Sequence, residues 1–310
     1  MSEIVVKEKI LNGYPNVIPY ESTKKTIEQM EKNIFKITIG NEQATGFFCK
    51  IPYNNKIVLM TNYHVIDENK NEIDIKIKEE KQNRIIDLSN RIKYINKEYD
   101  IVIIEMNEDD NITNYLELDD NFELNNEYKN KTIYIIQYPE GELSVSYGIL
   151  NKICIDKKYN FNHLCSTKEG SSGSPILNIK NNKVIGIHKE SQSKNFNIGL
   201  FLSYPIKEYL KLYKNKLQEF NKKYHLNIQQ DTTKINLYFK GIENEGLKDL
   251  CQIEFKKLKE LNLQYNNISD IKVLENTKYE KLELLDLVNN KISDINILEK
   301  VKFKELKKLY

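Results

Sequence analysis

The sequence predicts a mainly β protein that becomes helical and then repetitive towards its C-terminal end. Three observations carry this reading. Between residues 34 and 201, short apolar runs are separated by turns rich in Asn, Asp and Gly. After Pro205 the apolar spacing widens to that of a helix. From Leu258 onward, the same residue types return at a fixed offset.

Taken in order, residues 1–33 are polar, Pro15 and Pro19 break any early element, and a short helix is expected at 22–30. Strands are expected at 34–39, 46–51, 57–60, 73–77, 101–105, 133–137, 145–150, 176–179, 184–187 and 198–201. Strands this short, with no helices between them, build a barrel or a sandwich and not βαβ units. Turns at 52–55, 107–111 and 181–182 are Asn- and Asp-rich and suit hairpins. Ile206, Tyr209, Leu210, Tyr213, Leu217, Phe220 and Tyr224 then fall on one helical face, with Pro205 in the first turn. Residues 226–233 read as a linker.

The tail repeats. Leu258, Leu261, Leu263, Asn266, Ile268, Asp270, Ile271 and Leu274 return 24 residues later as Leu282, Leu285, Leu287, Asn290, Ile292, Asp294, Ile295 and Leu298. Leu306 and Leu309 open a further copy, and Leu237, Phe239, Leu247 and Leu250 match weakly one period earlier. The pattern resembles the leucine-rich repeat. That resemblance implies leucines alternating inward on short strands, an asparagine satisfying backbone groups at each turn, and a short solenoid binding a protein partner.

Composition narrows the function classes. The chain has 310 residues and a formal net charge of +2, so no global charge recruits nucleic acid or an anionic membrane. No stretch approaches the ~20 apolar residues of a membrane span, and residues 1–10 lack a signal-peptide core. Cys49, Cys154, Cys165 and Cys251 have no metal-ligand spacing and read as buried free thiols of a reducing compartment. A cytoplasmic protein without metal or cofactor is expected.

The chemistry centres on Gly170-Ser171-Ser172-Gly173-Ser174-Pro175. Glycine lets successive N–H groups turn into one small space, and a serine at the apex can set its hydroxyl beside them. Those residues alone are equally a loop between strands. Upstream, Thr61-Asn62-Tyr63-His64 follows a strand, and Tyr99-Asp100 opens a strongly apolar one. Together, G-x-F-F-C-K, T-N-Y-H-V-I, Y-D-I-V-I-I and G-S-S-G-S-P resemble the trypsin-like (chymotrypsin-fold) serine peptidases over roughly residues 34–210, in that family's order of His, Asp and Ser.

The resemblance implies two six-stranded antiparallel β-barrels with a cleft between them. His64 and Asp100 would come from the first and Ser172 from the second. Ser172 would be the nucleophile, His64 the base and Asp100 its orienting partner, and the N–H groups of Gly170 and Ser172 would bind the oxyanion. Departures are informative. Val65 and Ser171 stand where the secreted digestive enzymes carry a disulfide cysteine and an aspartate, and Ser174 replaces a glycine. The form G-x-S-G-S-P with V-I-G-I-H is closest to the glutamyl endopeptidases. By that likeness Thr167 and His188 line the primary pocket and Lys189 adds positive potential, which implies Glu or Gln at P1. Residues 189–191 would pair with extended substrate backbone.

The expected organisation is an N-terminal segment (1–33), a peptidase domain (34–225), a linker (226–233) and repeats (234–310). A peptide or protein substrate is implied, with a protein partner on the repeats. The rival reading is a catalytically silent scaffold of the same fold whose repeats do the binding.

Overall fold

The computed structural model describes residues 13–40, 42–52, 56–193, 195–277, 279–299, 301 and 303–310. The start of the N-terminal segment, most of the 52–55 turn and the Tyr213 side chain therefore lie outside the described residues. The chain divides into two compact units, Met1–Lys207 and Glu208–Tyr310.

The first unit opens with helix α1 (Tyr20–Lys32), entered from Pro19, whose missing N–H suits a helix start. Its buried face is polar: Ser22, Thr26 and Gln29. Ser22 Oγ donates to the Ile179 carbonyl (3.1 Å) and Gln29 Nε2 to the Asn182 carbonyl (2.7 Å), while the Tyr134 hydroxyl donates to Gln29 Oε1 (2.7 Å).

Eight strands follow: β1 (Ile34–Ile39), β2 (Glu42–Lys50), β3 (Ile57–Thr61), β4 (Glu72–Ile77), β5 (Arg84–Asp87), β6 (Lys93–Asn96), β7 (Ile101–Glu105) and β8 (Leu116–Glu117). They form one sheet in the order β5-β4-β1-β2-β3-β7-β6, with β8 parallel to β2. Phe35, Ile37, Phe48, Leu59, Ile75, Val102 and Ile104 fill its core.

The expectation of a closed six-stranded first barrel is corrected here, because β5 and β6 do not pair and the sheet stays open. At one end of that seam the buried Arg91 guanidinium takes the place of a ladder. It bonds the Asp110 carboxylate (2.9 Å) and donates to the carbonyls of Asp87 and Glu105, closing the β5 and β7 ends by side chain.

The next six strands do close. They are β9 (Thr132–Gln137), β10 (Ser144–Ile153), β11 (Asn160–His163), β12 (Pro175–Asn178), β13 (Lys183–Ser193) and β14 (Phe196–Phe201), in the barrel order β10-β11-β14-β13-β12-β9. Ile133, Ile135, Leu150, Phe161, Ile176, Ile185 and Phe201 pack inside it.

The division between units falls within helix α2 (Ser203–Lys223). In the second unit, β15 (Lys234–Asn236), β16 (Glu260–Asn262), β17 (Leu284–Asp286) and β18 (Lys308–Leu309) form a parallel sheet in chain order. Helix α3 (Glu243–Cys251) lies between the first two of these strands. The register sets Ile235 beside Leu261 and Leu261 beside Leu285.

Asn266, fully buried, accepts from the Lys240 and Ile242 N–H groups (3.0 and 3.1 Å) and donates to the Leu237, Leu263 and Gln264 carbonyls (2.8, 2.9 and 3.0 Å). Asn290 repeats the arrangement one turn on, accepting from the Asn266 and Ile268 N–H groups. The weak match one period earlier is corrected, because Ile235 and not Leu237 stands beside Leu261; Phe239 therefore takes the place of Tyr265, at the same left-handed φ (52° and 55°), and is 75% exposed. Leu226 and Ile228 in the stretch read as a linker are partly buried against this unit's core.

All four cysteines are free. Among the described residues no helix is long and apolar enough to cross a membrane, and no cluster could hold a metal ion.

Candidate active site

The residues singled out in the sequence converge on one cleft of the first unit. β3 ends at Thr61, and the chain turns back on itself as the Val65 and Ile66 N–H groups both bond the Asn62 carbonyl (3.2 Å). This turn carries His64. Asp100 stands just before β7 in the left-handed region (φ 56°), which Asp tolerates better than most residues. Buried Asn62 fixes it there, donating from Nδ2 to the Asp100 carbonyl (2.9 Å). The Asp100 carboxylate then grips His64 twice. Oδ1 accepts the His64 backbone N–H (3.0 Å) and Oδ2 meets Nδ1 (2.8 Å). The backbone contact holds the carboxylate in place, and the ring contact turns Nδ1 towards it.

Ser172 comes from the β11–β12 connection and faces the same space. It lines, with His64, a cavity of about 450 Å³ walled by Ile37, Ile39, Ala44 and Val65, and a second of about 710 Å³ reached by Thr167, His188 and Lys189. Among the described residues no hydrogen bond joins the Ser172 hydroxyl to the His64 ring. Such contacts commonly tighten only when substrate is bound.

The turn around Ser172 is defined peptide by peptide. The Glu169 carbonyl accepts from the Glu140 N–H (2.7 Å). A trans peptide points its N–H the opposite way, so the Gly170 N–H faces away from Glu140. The next peptide is held at both ends, its carbonyl (Gly170) by Thr45 Oγ1 at 2.8 Å and its N–H (Ser171) by the Lys168 carbonyl at 3.1 Å. The Ser171 carbonyl accepts from Ser174 (3.2 Å), which turns the Ser172 N–H away. The last peptide is again held at both ends, by the Thr45 N–H (2.9 Å) and the His188 carbonyl (3.2 Å).

Among the described residues the Gly170 and Ser172 N–H groups have no intramolecular acceptor. They belong to alternate peptides of one tight turn, the geometry of an anion-binding nest. Gly170 adopts a φ of 90°, and a Cβ there would come within 2.4 Å of the Tyr138 carbonyl oxygen. Only glycine fits.

Electrostatics differ sharply across the cleft. The Asp100 hydrogen bond holds His64 above the usual imidazole value, and its charge and that of Glu190 add to this, against burial and the Lys189 charge. His188 is buried, its Nδ1 3.2 Å from Nε2 of the fully buried His163. Burial and the His64 charge push His188 down to about 4, and burial with the His188 charge pushes His163 well below the usual value. Both rings are neutral at neutral pH. Lys189 is 7% exposed, lines the larger cavity and makes no ion pair among the described residues. Burial lowers its pKa while Asp100 and Glu190 pull it back up. Lys168, by contrast, pairs with Glu140 in solvent (2.8 Å).

Thr45, Asn62 and His163 were not singled out in the sequence. Asn62 sits within the quoted T-N-Y-H stretch, whereas nothing local marks Thr45 or His163, whose partners are distant in the chain.

Residues 44–187 match the family model for the trypsin-like peptidase domain. That stretch holds His64, Asp100, Gly170 and Ser172, and the mainly β unit around it is chymotrypsin-like, with one barrel closed and the other open. Among solved structures, this chain is similar to the serine endoprotease from Yersinia pestis, at 14% identity and a TM-score of 0.48, over 64% of this chain and 69% of that one. It is similar to the Rv3671c protease in an inactive form, at 14% identity and a TM-score of 0.48, over 66% and 98%. A serine-to-alanine mutant of Rv3671c from M. tuberculosis H37Rv, also an inactive form, gives 13% identity and a TM-score of 0.46, over 64% and 95%. No curated protein sequence matches the chain.

Proposed function

We propose that the first unit is a serine endopeptidase that cleaves peptide bonds through an acyl-enzyme, with Ser172, His64 and Asp100 as its triad. The observation that carries this reading is the two-point grip of Asp100 on His64, facing a serine whose turn leaves two N–H groups uncommitted. With Nδ1–H held by Asp100, the ring offers Nε2 as the base. Nε2 takes the Ser172 proton as Oγ attacks the scissile carbonyl, and the Gly170 and Ser172 N–H groups receive the oxyanion. The imidazolium returns the proton to the leaving amine, and water then repeats the sequence on the ester. Asp100 stabilises the imidazolium without being protonated itself.

The larger cavity is read as the primary pocket. Lys189, buried and without an ion pair among the described residues, is suited to a Glu carboxylate beside Thr167, and the neutral His188 ring is compatible with Gln. The second unit is read as a short leucine-rich-repeat array that recruits a protein partner or substrate, and the whole as a cytoplasmic protein. The second unit's parallel ladder, with buried Asn266 and half-buried Asn290 bonding the backbone at its turns, supports the repeat reading.

The test is digestion of a peptide library by the chain beside its Ser172→Ala variant, with P1 read by mass spectrometry. Cleavage after Glu or Gln, lost in the variant and weakened for Glu in Lys189→Met, is expected. Cleavage after other residues would remove the pocket assignment. No cleavage and no fluorophosphonate labelling would return the scaffold reading.

A further inference from the structure

We infer that Thr45 is a positioning residue for the oxyanion turn: from β2, its hydroxyl sets the tilt of the peptide between the two donor N–H groups. This rests on the reading of Gly170 and Ser172 as those donors. It adds a residue of the first sheet, outside the triad, to the machinery assembled around Ser172.

Four bonds define Thr45, which is fully buried. Its N–H donates to the Ser172 carbonyl (2.9 Å), its Oγ1 donates to the Gly170 carbonyl (2.8 Å), and Oγ1 accepts from the Tyr138 N–H (3.0 Å). Behind it, Thr61 Oγ1 donates to the Thr45 carbonyl (2.9 Å). The direction of the hydroxyl proton is settled by its neighbours. The Tyr138 N–H can only donate, so the Thr45 proton must go to Gly170, whose carbonyl can only accept.

Glycine makes this bond matter. Gly170 has little steric preference of its own, so the planes on either side of it take their tilt from outside partners. One is fixed through the Glu169 carbonyl by Glu140, and the other through the Gly170 carbonyl by Thr45. Remove the hydroxyl and the second plane keeps only its Ser171 N–H anchor, leaving the Gly170 carbonyl free to swing and the donor N–H groups on either side of that plane without a fixed relation to each other.

The fit has no slack to absorb such a change. Gly173, at φ 83°, would place a Cβ 2.2 Å from the Thr45 carbonyl oxygen and 2.3 Å from Thr61 Oγ1. The serine turn thus lies directly against β2 and β3. Valine at position 45 would match threonine in shape while leaving the Gly170 carbonyl and the Tyr138 N–H without a partner.

The test compares the full chain with Thr45→Val, Thr45→Ala and Thr45→Ser, using a cleaved peptide and an aldehyde inhibitor of matching sequence. Loss of one oxyanion donor typically lowers turnover about 10²–10³-fold. For Val and Ala, kcat is expected to fall roughly 10²-fold with KM little changed, and aldehyde affinity to fall in parallel. The acid limb of the pH profile should stay in place, since His64 and Asp100 are untouched. Ser is expected to restore kcat. Far-UV circular dichroism selects the folded variants, and if Val does not fold, the Ala-against-Ser contrast decides. Folded hydroxyl-free variants with kcat within about twofold of the parent would overturn the proposal alone. A parent chain without turnover or labelling would overturn the peptidase reading and this proposal with it.

Discussion

Replacing Asp100 by asparagine exchanges an oxygen for an NH₂ group, and the structure says which oxygen. The His64 backbone N–H, 3.0 Å from Oδ1, needs an acceptor, so the amide oxygen takes that place. The NH₂ group then faces Nδ1 across the present 2.8 Å contact. Two donors cannot face each other, so the ring must carry its proton on Nε2 and can no longer accept from Ser172. This change of tautomer in a Ser-His-Asp triad costs about 10⁴ in kcat, or about 5 kcal/mol at 1.36 kcal/mol per decade. The same substitution removes the foremost cause of the raised His64 pKa, so whatever activity remains should have its acid limb at lower pH. The assay is kcat against pH for a cleaved peptide, with Asp100→Asn beside the parent chain and circular dichroism as a check on the fold. Activity within tenfold of the parent, with an unmoved acid limb, would refute the orienting role given to Asp100.

Two further outcomes concern stability. His188 falls from the usual 6.5 to about 4 on folding, so between those values the unfolded chain binds a proton that the folded chain does not. Stability should therefore fall as the pH falls through that window, by about 3 kcal/mol for this group. The full chain's melting temperature measured from pH 7 to 4 should show the decline, and His163→Leu should make it shallower by removing the second buried imidazole. An unchanged slope in that variant would contradict the buried, neutral assignment. In the second unit, Asn266→Ala strands five backbone groups and should cost about 3–5 kcal/mol in urea unfolding. A loss below about 1 kcal/mol would mean that water replaces the amide freely.

Much of the fold is written locally. Runs such as Ile101–Glu105 and Thr132–Gln137 are β-branched and bounded by turn residues, and they form strands where their pattern places them. The strands without a sequence signal are short or polar: β5 (R-I-I-D), β6 (K-Y-I-N), β8 (L-E) and β11 (N-F-N-H). Pairing makes them strands, not composition. Whether a sheet closes depends on whether its edge strands, here β5 and β6, meet and pair, which spacing does not encode. Helix α3 hides behind Gly246, a poor helix former that is there because Tyr224 packs onto it and its hydroxyl fills the space a Cβ would need.

The candidate site divides the same way. His64, Asp100 and Ser172 announce themselves through neighbours in the chain. Thr45 and His163 do not, because what gives Thr45 its place is a carbonyl 125 residues away, and His163 is placed by a ring 25 residues on.

Helix α1 has a consequence for how this chain is made. It leaves the ribosome long before its partners, since Tyr134, Ile179 and Asn182, which its buried face bonds, lie 105 to 157 residues further on. A face of Ser, Thr and Gln gives it no apolar reason to adhere to anything in the meantime. A helix synthesised ahead of both sheets thus has the side-chain partners of its buried face only once the second barrel has been made.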